Sequence, residues 1–338
     1  MDYQEFLSQL CEKVKEHLPE GHQSANVDIV TSHKNNDTKL EALIIKNEHD
    51  TLVPRIYVDS YFEDEENGRS IENIAKEMVQ IYLDNKTTQF KSLPEDITDY
   101  NKIKDQLVVQ LINRDYNKEL LADVPHKDLE NTDLSAILRL EFETDDPISA
   151  FARIDYQMLD LWKVSFDTAY EEALSNCIKK NPATIVSIED VMMDIMGIKE
   201  VEKGLPMTAE IESYQQYVLS NSSGKWGATV MLYPEVLQQI AENSDADLLI
   251  MPSSIHEVIL MKATEEFSAS ELQSIVISVN QGGVLEPEDI LSNGVYCYNK
   301  DEYMLSLATS QEETKELRNR FSDQKSDFTS EMDDLLER

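Results

Sequence analysis

The sequence predicts an α+β fold of short, largely antiparallel strands packed with helices, in two or three subdomains. Three observations predict it. Apolar residues recur at helical spacing in several segments that begin at a Ser and end at Gly, Asn or Pro. Short apolar runs flank stretches rich in Asn, Asp, Ser and Gly, the chemistry of turns between strands. The chain has 338 residues, 41% of them hydrophobic, at a mean hydropathy of −0.44, which supplies a core for about two domains or one large composite one.

The elements follow in order. Phe6, Leu7, Leu10, Cys11, Val14 and Leu18 make one helical stripe, closed by Pro19-Glu20-Gly21. Residues 27–31 and 40–45 read as strands around the turn Lys34-Asn35-Asn36-Asp37, and 52–57 as a third. An acidic loop, 62–68, comes next, and Ser70 caps a helix with Ile71, Ile74, Ala75, Met78, Val79 and Tyr82 on one face. Residues 85–100 are polar, hold Pro94 and read as a connector. Residues 107–113 and 135–142 read as strands, the second broken by Asp145-Asp146-Pro147, and 148–156 alternates only weakly. Ser165 opens a helix through Phe166, Ala169, Tyr170, Ala173, Leu174, Cys177 and Ile178, which Asn181-Pro182 ends. A short helix over 189–196 starts at Ser187 and stops at Gly197.

Beyond a charged stretch at 199–206, strands are expected over 217–220 and 228–232, flanking Asn221-Ser222-Ser223-Gly224. Pro234 suits the first turn of a helix carrying Val236, Leu237, Ile240 and Ala241. Two strands, 248–251 and 258–261, surround Pro252-Ser253-Ser254. Ser268 and Glu271 form a capping box for a helix to Asn280, ended by Gly282-Gly283. Residues 295–298 and 303–307 read as a final hairpin. The expected organisation is therefore 1–90, helix, three strands and helix; 91–200, a middle α+β subdomain; 201–308, a C-terminal α+β subdomain; and 309–338, a charged tail. No residue-level repeat supports a duplication.

There are 66 acidic and 30 basic residues, a formal net charge of −36. That field excludes bulk attraction to a nucleic-acid backbone or an anionic membrane, both of which are negative. No run reaches the 18 or so apolar residues of a membrane span. The N-terminus lacks a basic region followed by an apolar one, so no signal peptide is expected. Cys11, Cys177 and Cys297 form no C-x-x-C pair, which indicates neither a disulfide framework nor a zinc ribbon and suits a cytoplasmic location.

The phrases at 227–234 (GATVMLYP), 249–258 (LIMPSSIHEV) and 295–298 (VYCY), with Pro54-Arg55-Ile56-Tyr57 before the acidic run, carry a resemblance. They resemble an uncharacterised family of unknown function from anaerobic gut Firmicutes, often in accessory or mobile-element regions. The resemblance covers nearly the whole chain and implies a bacterial protein, but it brings no activity, cofactor or catalytic residue. Asp155 to Asn176, with Leu159, Trp162, Val164 and Ala173, is distantly similar to a conserved-hypothetical family of bacilli, equally silent about chemistry.

Ser253, Ser254, His256 and Glu257 are the one cluster mixing hydroxyl, imidazole and carboxylate. On a strand Ser254 and His256 share a face while Glu257 points away, so a Ser254/His256 nucleophile pair would need another acid to orient its base. The plainer reading is a Pro-Ser-Ser turn with a hydrogen-bonded His. His17, His22, His33, His49, His126 and His256 form no i, i+4 pair, so no metal site is expected. No Ca²⁺ loop appears, and Gly224-Lys225-Trp226-Gly227 lacks phosphate-loop spacing, so no cofactor is expected. Met192, Met193 and Met196 read as core before interaction face, and Trp162 and Trp226 as core anchors. Glu63, Asp64, Glu65 and Glu66 are the candidate binding residues, as a solvated acidic loop.

The sequence thus predicts an accessory protein that binds another protein; the plain reading of its acidity is solubility, and the sharper one an acidic nucleic-acid mimic occupying a basic groove. A hydrolase built on Ser254 and His256 is the competing class, and a structural or regulatory domain the third.

Overall fold

A computed structural model describes residues 1–48, 53–87, 97–142, 150–198, 204–206 and 209–309. The chain divides into two compact units, 1–103 with 140–152, and 104–139 with 153–338. Both are mixtures of helices and antiparallel sheet, an α+β fold.

The first unit opens with α1 (Tyr3–His17), whose first turn is capped by Asp2 accepting the Glu5 N–H at 2.8 Å. Strands β1 (Asn26–His33) and β2 (Lys39–Lys46) pair antiparallel from Asn26↔Lys46 to His33↔Lys39. Their turn puts Asn36 and Asp37 at φ of 60° and 50°, left-handed values that short polar side chains tolerate best. Then β3 (Ile56–Tyr57) joins β2 through Ala42↔Tyr57 and Leu43↔Ile56. The third strand is thus shorter than expected, and its start at Leu52 lies outside the described residues.

The acidic run is a correction. Glu63, Asp64, Glu65 and Glu66 are not a loop but the last turn of α2 (Asp59–Glu66). Glutamate is a good helix former. Phe62 anchors the helix, its ring 5.0 Å from Tyr3 and 5.3 Å from Phe6. Arg69 offsets the like charges, bonding Asp64 at 2.8 Å and also Glu77. Ser70 then starts α3 (Ile71–Thr87), accepting the Asn73 N–H at 3.4 Å. The expected connector begins inside α3 and ends at α4 (Tyr100–Ile103); Pro94 lies outside the described residues. Phe6, Leu10, Leu43, Ile45, Ile74, Met78 and Tyr82 close one core from α1, β2 and α3, each large apolar side chain stabilising the fold by roughly 1.5–3 kcal/mol.

In the second unit, β4 (Leu107–Asn113) is buried along its whole length. Next come α5 (Lys118–Asp123), β5 (His126–Asp128), β6 (Leu134–Phe142) and β7 (Ala150–Arg153), in a sheet ordered β4-β6-β5 with β7 also on β6. Residues 140–152 of β6 and β7 belong to the first unit. The weak alternation over 148–156 has a cause: β7 ends, Asp155 accepts the Met158 N–H at 2.8 Å, and α6 (Tyr156–Trp162) begins. Ser165 caps α7 (Phe166–Lys180), and β8 (Ala183–Ser187), which was not expected, leads directly into α8 (Ile188–Ile195).

The C-terminal elements are β9 (Tyr217–Asn221), α9 (Val236–Ser244), β10 (Leu248–Pro252), β11 (Val258–Lys262), α10 (Ala269–Gln281), β12 (Tyr296–Asn299) and β13 (Met304–Leu307). A six-stranded antiparallel sheet runs β13-β12-β10-β11-β9-β8. The predicted capping box of α10 is present, with both the Ser268 and Glu271 side chains engaged. Leu272 and Val276 of α10 pack on Leu249, Met251 and Met261. The strand expected over 228–232 is instead the 3-10 helix Gly227–Leu232. Residues 227–231 are all buried, so the side-chain pattern carries no period to tell strand from helix. Pro234 stands ahead of Glu235, which has φ of 67° as the N-cap, and so lies outside the first turn of α9.

Candidate functional site

The Ser253–Glu257 stretch joins β10 to β11, closed by the Ser254 N–H donating to the Glu257 carbonyl at 3.1 Å. Ser254 is buried, and its Oγ accepts the His256 backbone N–H at 2.9 Å. The His256 ring takes other partners. Its Nδ1 accepts the Trp226 backbone N–H at 3.1 Å, which leaves the proton on Nε2, 3.4 Å from Asp289 Oδ1. Asp289 is the acid that the sequence could not supply; it ends the short 3-10 turn Pro287–Asp289, whose carbonyl also receives the Ile255 N–H at 2.8 Å. Glu257 accepts from Ser253 at 3.4 Å. Among the described residues no hydrogen bond links Ser254 Oγ to the His256 ring.

This cluster fastens residues 226–229 to the hairpin. Ser220 Oγ donates to the His256 carbonyl at 2.8 Å, and the Ala228 N–H reaches the Ile255 carbonyl at 3.3 Å. Gly227 makes the closeness possible: a Cβ there would lie 2.1 Å from Ser220 Oγ and 2.3 Å from the His256 carbonyl oxygen. Trp226 is half-buried, with the Arg139 guanidinium 5.0 Å from its ring.

A second polar cluster escaped sequence reasoning. Asp133, at the entry to β6, is buried and accepts three side-chain hydrogen bonds: Asn113 Nδ2 and Ser292 Oγ to Oδ2, each at 2.7 Å, and the Tyr296 hydroxyl to Oδ1 at 2.6 Å. Burial, with the Asp133 charge behind it, pushes the Tyr296 phenol far above its ordinary range, so it stays a donor. Around it, Asn293 Nδ2 donates to the Tyr116 hydroxyl at 2.9 Å and Asn280 Nδ2 to Asn293 Oδ1 at 2.8 Å. A carboxylate held by three neutral donors is a satisfied structural node.

The methionines required a correction. Met192, Met193 and Met196 are not core: they are 54%, 37% and 61% exposed, and Ile195 beside them is 80% exposed. Helix α8 has no buried residue, although Ser187 caps it by accepting the Asp190 N–H at 3.1 Å. Met192, Ile195 and Met196 share one face by their i, i+3, i+4 spacing, and Ile198, beyond the C-cap, is 69% exposed. Glu189 and Asp194 are exposed on the same short helix. Trp162 is buried, as an anchor should be.

On α2, Asp64 is tied to Arg69, whereas Glu63 and Glu66 are exposed. Burial pushes the Cys11 thiol up to about 11, and it raises Cys297 as well; neither is an activated nucleophile. Among the described residues, no three His, Cys, Asp or Glu side chains are grouped to hold a metal ion; His49 lies outside them. No helix among them is long and apolar enough to cross a membrane.

With an α+β architecture and no assembled catalytic set in the described sites, the chain is first of all a protein defined by its family. A family model described as "Family of unknown function (DUF5688)" matches residues 3–300, and the chain belongs to that family. No curated protein and no solved structure matches it.

Proposed function

We propose that this protein acts by binding another protein, and that α8 is the surface it presents. The observation that carries this reading is the exposed apolar face of Met192, Ile195 and the C-cap Met196 on a helix that buries nothing. Soluble proteins rarely leave contiguous large apolar side chains in water unless something covers them. Methionine suits the purpose, because its unbranched thioether adapts to differently shaped partners. Glu189, three residues before Met192 on the helix, borders the face, in a chain of net charge −36. The matching partner is a basic amphipathic helix, with apolar residues laid on α8 and Lys or Arg against its carboxylates. In its sharpest form the chain is a cytoplasmic, mobile-element-associated decoy that occupies the phosphate-binding surface of a nucleic-acid-handling protein.

The test is binding of a synthetic Lys/Leu amphipathic helical peptide, followed by calorimetry on the full chain. Binding is expected to weaken about fivefold or more as salt rises from about 0.05 to about 0.3 M, and to be lost in the double variant I195K/M196K. An absence of binding, or equal binding by the double variant, overturns the reading.

A further inference from the structure

The first unit holds a feature that the −36 charge makes conspicuous: two cations that meet at one tyrosine with no carboxylate bound to either among the described residues. Lys13, Arg69 and Lys76 each lie within ion-pair distance of Glu or Asp. Lys34 and Arg55 do not, among the described residues. Both instead converge on one tyrosine. The Lys34 ammonium lies over the Tyr57 ring, 3.9 Å from its centroid. Arg55 Nη1 donates to Ser32 Oγ at 2.9 Å, and that hydroxyl is 3.5 Å from the Tyr57 hydroxyl.

The strand register explains the convergence. Ser32 pairs with Leu40, Ala42 with Val30 and with Tyr57, so Ser32, Ala42 and Tyr57 share one face of the β1-β2-β3 sheet. Leu43 and Ile56, on the opposite face, belong to the core with α1 and α3. Lys34 reaches over Tyr57 from the β1–β2 turn, and Arg55 arrives one residue before β3. Ser32 is buried, while Arg55 is exposed and spends one N–H on Ser32 Oγ, out of the five a guanidinium carries.

We propose that Ser32, Lys34, Arg55 and Tyr57 form a binding site for a phosphate group. Two cations match a dianion in charge. The guanidinium fork matches two phosphate oxygens, and two hydroxyls complete the donor set. The electrostatics of the phenol agree with this. Burial alone would raise the Tyr57 phenol, but its contacts with Lys34 and Ser32 and the charges of Lys34 and Arg55 outweigh burial and hold it below its ordinary value. Two cations thus act on one phenol in a chain of net charge −36, an arrangement suited to holding an anion there. This proposal does not rest on α8, and either can fail without the other.

The experiment is a titration of the full chain with inorganic phosphate, followed by backbone amide shifts, with glycerol phosphate and acetate as parallel arms. Phosphate is expected to shift the amides around Ser32, Lys34 and Ile56 in a saturable way. R55Q is expected to weaken binding about tenfold, K34Q less, and Y57F least, since it removes one neutral donor. Because Arg55 is exposed, R55Q keeps the fold, which the unchanged amides of α1 would verify. Tighter binding of glycerol phosphate than of inorganic phosphate would identify a phosphate ester as the ligand; the reverse order would identify the free ion. Acetate binding as tightly as phosphate, shifts spread elsewhere, or an unaffected R55Q would overturn the proposal.

Discussion

The Asp133 node and helix α8 are opposite departures from the ordinary partition of a protein. The node places a carboxylate, a tyrosine hydroxyl and a serine hydroxyl in the interior, and satisfies each with hydrogen bonds. Helix α8 places methionines and isoleucines in water and satisfies none of them. The difference shows how to tell architecture from interaction. A buried polar group with all its partners present is complete within the chain. An exposed apolar group is complete only in company. The first kind of residue should matter for folding and the second for binding, and mutations can separate the two.

The largest effect is expected at the node. Asp133→Ala would leave the Asn113, Ser292 and Tyr296 donors buried without their acceptor, at a cost of about 3–5 kcal/mol in urea unfolding. A loss below about 1 kcal/mol would mean that water or a rearranged partner replaces the carboxylate, and the contrast would soften. A smaller effect is expected for Ser187→Ala. Removing the N-cap of α8 should cost about 1 kcal/mol, visible as faster hydrogen exchange of the α8 amides with the β10–β11 hairpin unchanged. If the hairpin loosens too, α8 is more firmly integrated than its exposure indicates. The smallest effect on stability is expected for Ile195→Lys, within about 0.5 kcal/mol by the same unfolding measurement. A substantial loss there would show that the face packs within the chain and needs no partner.

The two regions also differ in how legible they were in the sequence. Caps are local, so Ser165, Ser187 and the Ser268/Glu271 box located their helices correctly. Helix α8 was legible from its cap and its closing glycine, but neither says whether a face is covered, and Met192, Met193 and Met196 were assigned inward. The node was invisible because its partners are scattered: Asn113, Ser292 and Tyr296 stand 20, 159 and 163 positions from Asp133. Asp289 was missed as the neighbour of His256 for the same reason. The α2 acids misled because a run of Glu and Asp with only two aromatic residues shows no stripe, although glutamate favours a helix. Elsewhere a wholly buried stretch, Gly227–Met231, erased the alternation on which a strand assignment depends. At the node and beside His256 the deciding partner came from a distant segment of chain.

The discontinuity of the first unit has a consequence for biosynthesis. Its members are residues 1–103 and 140–152, with the intervening stretch committed to the other unit. A nascent chain emerging from the ribosome can gather α1, the three-stranded sheet and α3 early, because their core lies within the first segment. Completion has to wait until residue 152 is out, and by then 104–139 is already exposed and still lacks everything from 153 onward. Translation speed across that interval, more than any single contact, then sets how long β4, buried on both faces in the finished protein, stays open to the wrong company.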